Sequence, residues 1–380
     1  MHSMSLPDPA APHGAPVLSR HAVAPPAPTA PAAVTEHPMT FTGTAGEYFR
    51  IWIVNVALTV VTLGVYLPWA RVRTRQYFYG HTWVDGQNFE YRANPLALLR
   101  GYLLVGFLFA VYALSSNSER TIWISIVLAL LYAALYPWVV RQSMRFQAVN
   151  TWHRGLNFHF LGTLKGSYFA YGLANVAAGV IGLLLPWAWH EQRKYQVQNL
   201  TYGQARGAFR GDVAPFFTFW ITAVGIGVGS LLLIGVPLLA LFFTSGSNPF
   251  EEDGFSTGLI VALGLGYVLF LLLSATSWQY VRGAIMKYVL NNAELGGVVR
   301  FRASFSPWRL AWIGVTNTLA QLLTLGLATP WAAMRRAKYV TEGITVRTIT
   351  NLDEFASAGP GQESALGEAA TELLDIQVGF

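Results

Sequence analysis

Seven apolar segments, 51–70, 96–114, 121–140, 168–189, 216–244, 257–276 and 310–332, dominate the chain and decide what solvent it folds in. A run of about 20 apolar residues matches the ~30 Å hydrocarbon core of a bilayer. The expected fold class is therefore an all-α integral membrane protein, a polytopic helical bundle. Composition agrees. Only 12% of the 380 residues are charged, against about 25% in soluble domains. The chain has no Cys, which excludes disulfides, thiolate metal sites and Cys nucleophiles. The formal charge of +6 sits beside the apolar runs, so it reads as orientation in the membrane and not as nucleic-acid binding.

Composition shifts at both ends. Residues 1–40 are rich in Pro and Ala and lack a signal-peptide core, and they read as a disordered arm. Residues 348–380 carry Asp353, Glu354, Glu363, Glu368, Glu372 and Asp375 with no Lys or Arg, and they read as an acidic cytoplasmic tail. Between them lies a membrane domain, 41–347.

That domain repeats itself. TLGVYLPWARVRTRQYFYG (62–80) corresponds to TLGLATPWAAMRRAKYV (324–340), and further Pro-Trp pairs occur at Pro137-Trp138 and Pro186-Trp187. Eight residues beyond each Trp stands an aromatic: Tyr77, Phe146, Tyr195 and Tyr339. A degenerate fifth copy begins at Trp278, without the Pro, with Lys287 and Tyr288 downstream. The stretches 81–93, 150–162 and 291–303 each place a Gly mid-way and then alternate large residues, the pattern of short β-hairpin or extended arms. The repeat units expected are about 46–165, 166–307 and 308–347. In each, an apolar helix reaches the surface, Pro loosens its backbone bonding, and Trp69, Trp138, Trp187, Trp278 or Trp331 anchors at headgroup level.

Basic residues follow every Trp: Arg71, Arg73 and Arg75; Arg141 and Arg145; Arg193 and Lys194; Arg282 and Lys287; Arg335, Arg336 and Lys338. The positive-inside rule wants all of these in the cytoplasm. Seven plain spans cannot achieve that. Four spans (96–140 and 216–276 as hairpins) with three re-entrant segments (51–70, 168–189 and 310–332) can, with Gly64, Gly179, Gly182 and Gly326 as turn points. Both arrangements leave the carboxyl terminus in the cytoplasm, and they differ on the amino terminus.

Chemistry-bearing residues are sparse. Asn55, Asn175, Asn317 and Gln321 lie in apolar runs, where they either line a pathway or bond a neighbouring helix. His190-Glu191 opens like a zinc-protease motif, but Lys194 stands where the second His belongs. His81, His153 and His159 are scattered. No catalytic, cofactor or metal signature emerges, and no enzyme is expected.

GEYFRIWIVNVALTVVTLGVYLPWARVRTRQYFYG (46–80), the polar stretch ending in FEYRANP, and the tail SALGEAATELLDIQVGF resemble the YjgN family of bacterial inner-membrane proteins. The resemblance covers about residues 40–380. It implies residence in the inner membrane, carries no activity or catalytic residues over, and makes a membrane-associated metallopeptidase a candidate partner. Two functions are then open. One is a non-enzymatic scaffold whose basic cytoplasmic face holds anionic lipid headgroups or a partner, with the acidic tail as a cover. The other is a small-solute or lipid transporter built from the repeats, lined by the three Asn and Gln321.

Overall fold

The computed structural model of the protein describes residues 34–117, 119–244 and 256–349. Most of the Pro/Ala-rich arm, the acidic loop before residue 256 and the acidic tail lie outside them. The folded unit begins at Val34.

The chain runs five times through a helix pair and then into antiparallel strands. The first pair is α1 (Ala45–Val61) and α2 (Leu67–Gly80), followed by β3 (Thr82–Val84) and β4 (Gln87–Tyr91). The second is α3 (Pro95–Ser116) and α4 (Ile122–Val149), followed by β5 (Thr151–His153) and β6 (Leu156–Phe160). The third enters through α5 (Leu164–Ser167), a π-helical turn (Tyr168–Leu173) and α6 (Ala174–Val180). It returns through α7 (Leu185–Gln198) to β7 (Leu200–Tyr202) and β8 (Ala205–Phe209). The fourth is α8 (Ala214–Thr244) and α9 (Thr257–Asn291), followed by β9 (Ala293–Leu295) and β10 (Val299–Ala303). The fifth is α10 (Pro307–Leu323) and α11 (Thr329–Thr341), followed by β11 (Ile344–Thr348).

The all-α expectation is overturned by these strands. They join into one 11-stranded antiparallel sheet, ordered β1-β11-β10-β9-β8-β7-β6-β5-β4-β3-β2. The arms expected after the basic helices are hairpins, as their alternation suggests, but they are not separate arms. The two strands at the ends of that order, β1 (Thr35–Pro38) and β2 (Thr40–Phe41), are consecutive pieces of one segment with only Met39 between them. Residues 35–38 pair with 345–348, and 40–41 pair with 82–83. The sheet therefore closes on itself through the amino-terminal strand. Sequence periodicity could not reveal this, because strand pairing between hairpins joins residues 40 positions apart, as in Phe160 opposite Leu200, to 313 apart, as in Thr35 opposite Thr348. Closure removes the unpaired edges that a sheet otherwise exposes.

Val84, Tyr202, Ala205, Leu295, Val299 and Val346 form one buried cluster with Met39, Phe89, Leu156, Phe158 and Phe301 against it. Every strand pair contributes, so the cluster occupies the inner face of the closed sheet. The turns have their own chemistry. Asp85-Gly86 and Arg154-Gly155 both adopt positive φ at both positions (48° and 73°; 50° and 77°), as a two-residue hairpin turn requires.

The helix pairs differ in length. α3, α4, α8 and α9 are long and apolar enough to cross a membrane, at 22, 28, 31 and 35 residues. In the first and fifth pairs the helix stops and turns: Leu63 and Gly64 take φ of 50° and 92°, and Leu325 and Gly326 take 50° and 91°. Gly64 N bonds Thr59 O at 2.8 Å and Gly326 N bonds Gln321 O at 2.7 Å, the wide backbone bond that ends a helix in a left-handed residue. Pro68 and Pro330 then open the returning helix, where a missing N–H costs nothing. Pro186 does the same for α7, whereas Pro137 lies inside the unbroken α4. All four prolines are fully buried. The tips are aliphatic and open: Leu63 is 94% exposed and Leu325 is 95% exposed.

Four of the five basic helices are fastened by a tyrosine hydroxyl to the start of their own pair. Tyr77 Oη lies 2.9 Å from Thr44 N, Tyr288 Oη 2.7 Å from Asp212 N and Tyr339 Oη 2.9 Å from Ser306 N, each accepting the backbone N–H, while Tyr195 Oη donates to Thr163 O at 2.9 Å. Phe146 holds the same place in the second unit without a hydroxyl. Tyr288 thus holds in the fourth helix pair the place that Tyr77 holds in the first. Counting back eight residues from Tyr288 reaches Tyr280, and Trp278 stands two residues earlier.

Candidate functional site

The basic helices sit where the helix pairs meet the sheet, and the charges there are sorted. The sheet and its turns carry cations with acidic partners: Arg347 and Arg302 with Glu36, Arg154 with Asp85, Arg92 with Glu90, and Arg210 and Arg300 with Glu294. On α11, Lys338 reaches Glu342 at 3.9 Å. Among the described residues, no carboxylate pairs with Arg71, Arg73, Arg75, Arg141, Arg145, Arg193, Lys194, Arg282, Arg335 or Arg336.

Their contacts are neutral. Arg75 Nη1 donates to Tyr91 Oη at 2.8 Å and Arg141 Nε to Gly162 O at 2.6 Å. Arg71 lies over Tyr102, Arg282 over Trp278 and Arg335 over Trp331, each between 5.2 and 5.5 Å from the ring centre. Arg193 Nη1 donates to Gln196 Oε1 at 2.7 Å, and Gln196 Nε2 donates to Tyr171 Oη at 2.7 Å. Burial pushes the guanidinium of Arg193 below its ordinary value, and the charge on Arg282 pushes the same way. Burial and Arg282 act on Arg336 alike. A guanidinium stays protonated through such shifts, so these are charges that lack a counter-ion.

The polar residues of the apolar runs go elsewhere. Asn55 Nδ2 donates to Ala70 O at 3.4 Å, and Asn317 Nδ2 to Ala332 O at 2.9 Å. Each ties its entering helix to the first turn of the returning one, just past the Trp. Asn317 Oδ1 accepts from Arg335 Nη1 at 3.2 Å, whereas Asn55 Oδ1 is buried without a partner. Asn175 accepts from Gln192 Nε2 at 2.7 Å, and Gln321 Nε2 donates to Thr329 Oγ1 at 3.4 Å. Each of the four thus bonds inside its own helix pair. Of the Trp residues, Trp278 and Trp331 are exposed, and Trp69, Trp138 and Trp187 are half-buried. Trp69 stacks on Tyr66, and Trp187 meets Phe169 edge-on. No three His, Asp or Glu side chains converge among the described residues as a metal would require.

Sequence reading overlooked Gln196 and Tyr171, which position Arg193. It also overlooked His37, which meets Asp85 at 3.0 Å and helps seat the closing strand. No local pattern marks any of them, since each works through a partner on another element.

A family model described as bacterial protein of unknown function (DUF898) matches residues 36–373. The chain belongs to that family. Among its relatives, the inner membrane protein YjgN of Salmonella typhimurium is 25% identical over 357 residues, covering 82% of this chain and 88% of the relative. YjgN of Escherichia coli K12 is 35% identical over 136 residues, 36% of this chain and 34% of the relative. No solved structure matches the chain. The resemblance read from the Pro-Trp segments is thus correct. With four helices able to cross a bilayer, the protein is an integral inner-membrane protein.

Proposed function

We propose that the protein is a non-enzymatic, multi-pass scaffold whose basic cytoplasmic face holds anionic lipid headgroups. The observation that carries this is the distribution of charge: among the described residues the sheet cations other than Arg206 pair with carboxylates, whereas of the cations on the basic helices only Lys338 does. Near an anionic leaflet each such residue contributes about 1 kcal/mol.

The closed sheet supports the topology this requires. All five strand pairs share one sheet, so the chain must come back to the same side after each helix pair. α3–α4 and α8–α9 do so as full spans. The pairs 45–80, 164–198 and 307–341 do so as re-entrant elements that dip their aliphatic tips into the bilayer. The positive-inside rule then sets the sheet, and the carboxyl terminus with it, in the cytoplasm. Five successive helix pairs with strands after each fit duplication of one unit. The bonds that Asn55, Asn175 and Asn317 make within their own pairs lend the transporter reading no support.

The test for topology is single-Cys labelling of intact cells with an impermeant maleimide. Asn117→Cys and Asn248→Cys should label, and Gln204→Cys and Gly296→Cys should not; labelling at 204 or 296 ends the arrangement. For function, the purified protein in neutral micelles is titrated with phosphatidylglycerol. A rise in Tm that shrinks with salt, exceeds that from phosphatidylcholine and is blunted in R71Q/R73Q/R145Q is expected. Equal responses to both lipids would dismiss the headgroup face.

A further inference from the structure

Five neighbouring strands, β8, β9, β10, β11 and β1, turn a basic face outward. Register fixes which residues stand there. Leu295, Val299 and Val346 belong to the inner cluster, and Phe301 packs against it. The residues that alternate with them, Glu294, Arg300, Arg302 and Arg347, therefore point outward. Arg300 lies opposite both Glu294 and Arg347, and Arg347 lies opposite Glu36. On β8, Arg206 alternates with the inward Ala205. Arg210, just past that strand, joins the face through its bond to Glu294.

Pairing here is not neutrality. Glu294 takes Arg210 at 2.5 Å and Arg300 at 3.4 Å. Glu36 takes Arg347 at 2.5 Å and Arg302 at 4.0 Å. Arg206 directs its donors to Gln198 O and Asn199 Oδ1. Five guanidinium groups thus meet two carboxylates. Glu294 lies buried beneath its partners, whereas the side chains of Arg210, Arg300 and Arg302 are exposed at 64%, 61% and 60%. Arg300 and Arg347 stand directly opposite each other, and like charges so placed weaken a sheet. An excess of positive charge held in this way is costly unless an anionic group meets it.

The chain itself carries such a group. β11 bears Arg347 and ends at Thr348, in the middle of the face, and the described residues stop one position later. Residues 350–380 continue from there. They hold six of the chain's 19 carboxylates and none of its 25 Lys and Arg, and the first of the six, Asp353, comes six residues after Arg347. Strands lie about 4.8 Å apart, so β8 to β1 spans roughly 19 Å. A stretch of 31 residues reaches up to about 100 Å, so every arginine of the face is within its range. A tethered segment is also present at an effective concentration in the millimolar range, so weak exposed pairs suffice to hold it.

We propose that residues 350–380 dock by their carboxylates on the outward face of β8–β11 and β1, against Arg206, Arg210, Arg300, Arg302 and Arg347. The acidic tail then covers the sheet and leaves the basic helices open to headgroups. The two faces share no residue, so this docking stands or falls independently of the lipid reading.

The experiment is photo-cross-linking in the full-length chain, purified in neutral micelles. The chain has no Cys, so Thr345→Cys, outward on β11 and opposite Arg302, takes a benzophenone maleimide at one place. Glu90→Cys, outward on β4 on the opposite side of the closed sheet, is the control. After irradiation, mass mapping of the monomer should put most adducts from position 345 within 350–380, and few of those from position 90. Salt at 1 M, where screening acts within about 3 Å, should remove the tail adducts. R300Q/R302Q should lower them about fivefold, the loss expected of two exposed charge pairs. Neutralising the tail (D353N/E354Q/E363Q/E368Q/E372Q/D375N) should lower them further and leaves the sheet untouched, and Tm confirms folding of each variant. Tail adducts that survive both sets of changes would mean contact without charge recognition, and the docking falls. Adducts that join two chains and grow with protein concentration would give the face to a neighbouring copy's tail and overturn docking within one chain. If phosphatidylglycerol added to the micelles takes the label in place of the tail, the face belongs to headgroups, and the docking falls as well.

Discussion

Tyr77, Tyr195, Tyr288 and Tyr339 do the same work in four units, clamping the residue before or at the start of their unit's first helix. A Tyr→Phe change at any of them removes the hydroxyl's bonds, which at Tyr77 include Glu47 as well as Thr44, and leaves the ring packed. Each should cost about 0.5–1.5 kcal/mol, read as a lowered Tm in micelles, and a double change in distant units should be additive. The sequence showed the spacing of these aromatics but not their purpose, because the partner lies about 32 to 76 residues away. His153 gives a pH signal. Its ring is buried, stacks on Phe89 at 4.5 Å and leaves Nε2 without a partner. Burial, and then the charge of Arg154, hold it down at about 4 from an ordinary 6.5. Between those values the unfolded chain binds a proton that the folded one refuses, so stability falls as pH drops through the window and levels off below about 4. The loss is at most about 3 kcal/mol. His153→Phe should flatten the Tm profile between pH 7 and 4.5; an unchanged slope would assign the effect to another group. The carboxyl of Glu47 is held below its ordinary value by its bonds to Tyr77 and then Thr44.

At the scale of the element, the turn in the first and fifth helix pairs depends on backbone that only glycine adopts freely. Gly64→Ala and Gly326→Ala place a Cβ at φ near 90° and should each destabilise by about 1–2 kcal/mol. Gly179→Ala should be milder, since that residue ends a helix with no positive φ. Asn317→Leu tests the other bond of the element. It removes the amide's bonds with Arg335, which keeps Thr316, and with the Ala332 carbonyl, and a cost of about 1–3 kcal/mol is expected with lipid binding retained. The helices, the Pro-Trp starts and the glycine turns were legible because each is written in adjacent residues. The hairpins were legible as hairpins from Asp85-Gly86 and its relatives. Their union into one sheet was not, for the pairing of Phe89 with His153 or of Phe209 with Ala293 leaves no trace in either partner's neighbourhood.

For the whole molecule, the decisive element is the shortest. Among the described residues, 35–41 are what hydrogen-bonds β11 to β3 across the sheet. Met39 sits between the two paired stretches, donates to Ile344 O at 3.0 Å and packs against the inner cluster. Glu36 joins Arg347, and His37 joins Asp85, which in turn holds Arg154. The chain's start therefore fastens its end to its first hairpin. Two truncations separate this role from the arm's. Removal of residues 2–33 leaves every one of these contacts in place, and the product should be monodisperse by size exclusion with a Tm near that of the full chain. Removal of residues 2–41 opens the sheet, leaves β3 and β11 as bare edges that template pairing between copies, and exposes Val84, Phe89 and Val346 to water. That product should aggregate or be degraded in cells. A synthetic peptide carrying residues 34–42, added during solubilisation, should recover part of the monodisperse fraction by taking the vacant place in the sheet. A 2–41 truncation that stays monodisperse and as stable as the full chain would mean the sheet holds without closure, and that the cluster on its inner face is enough.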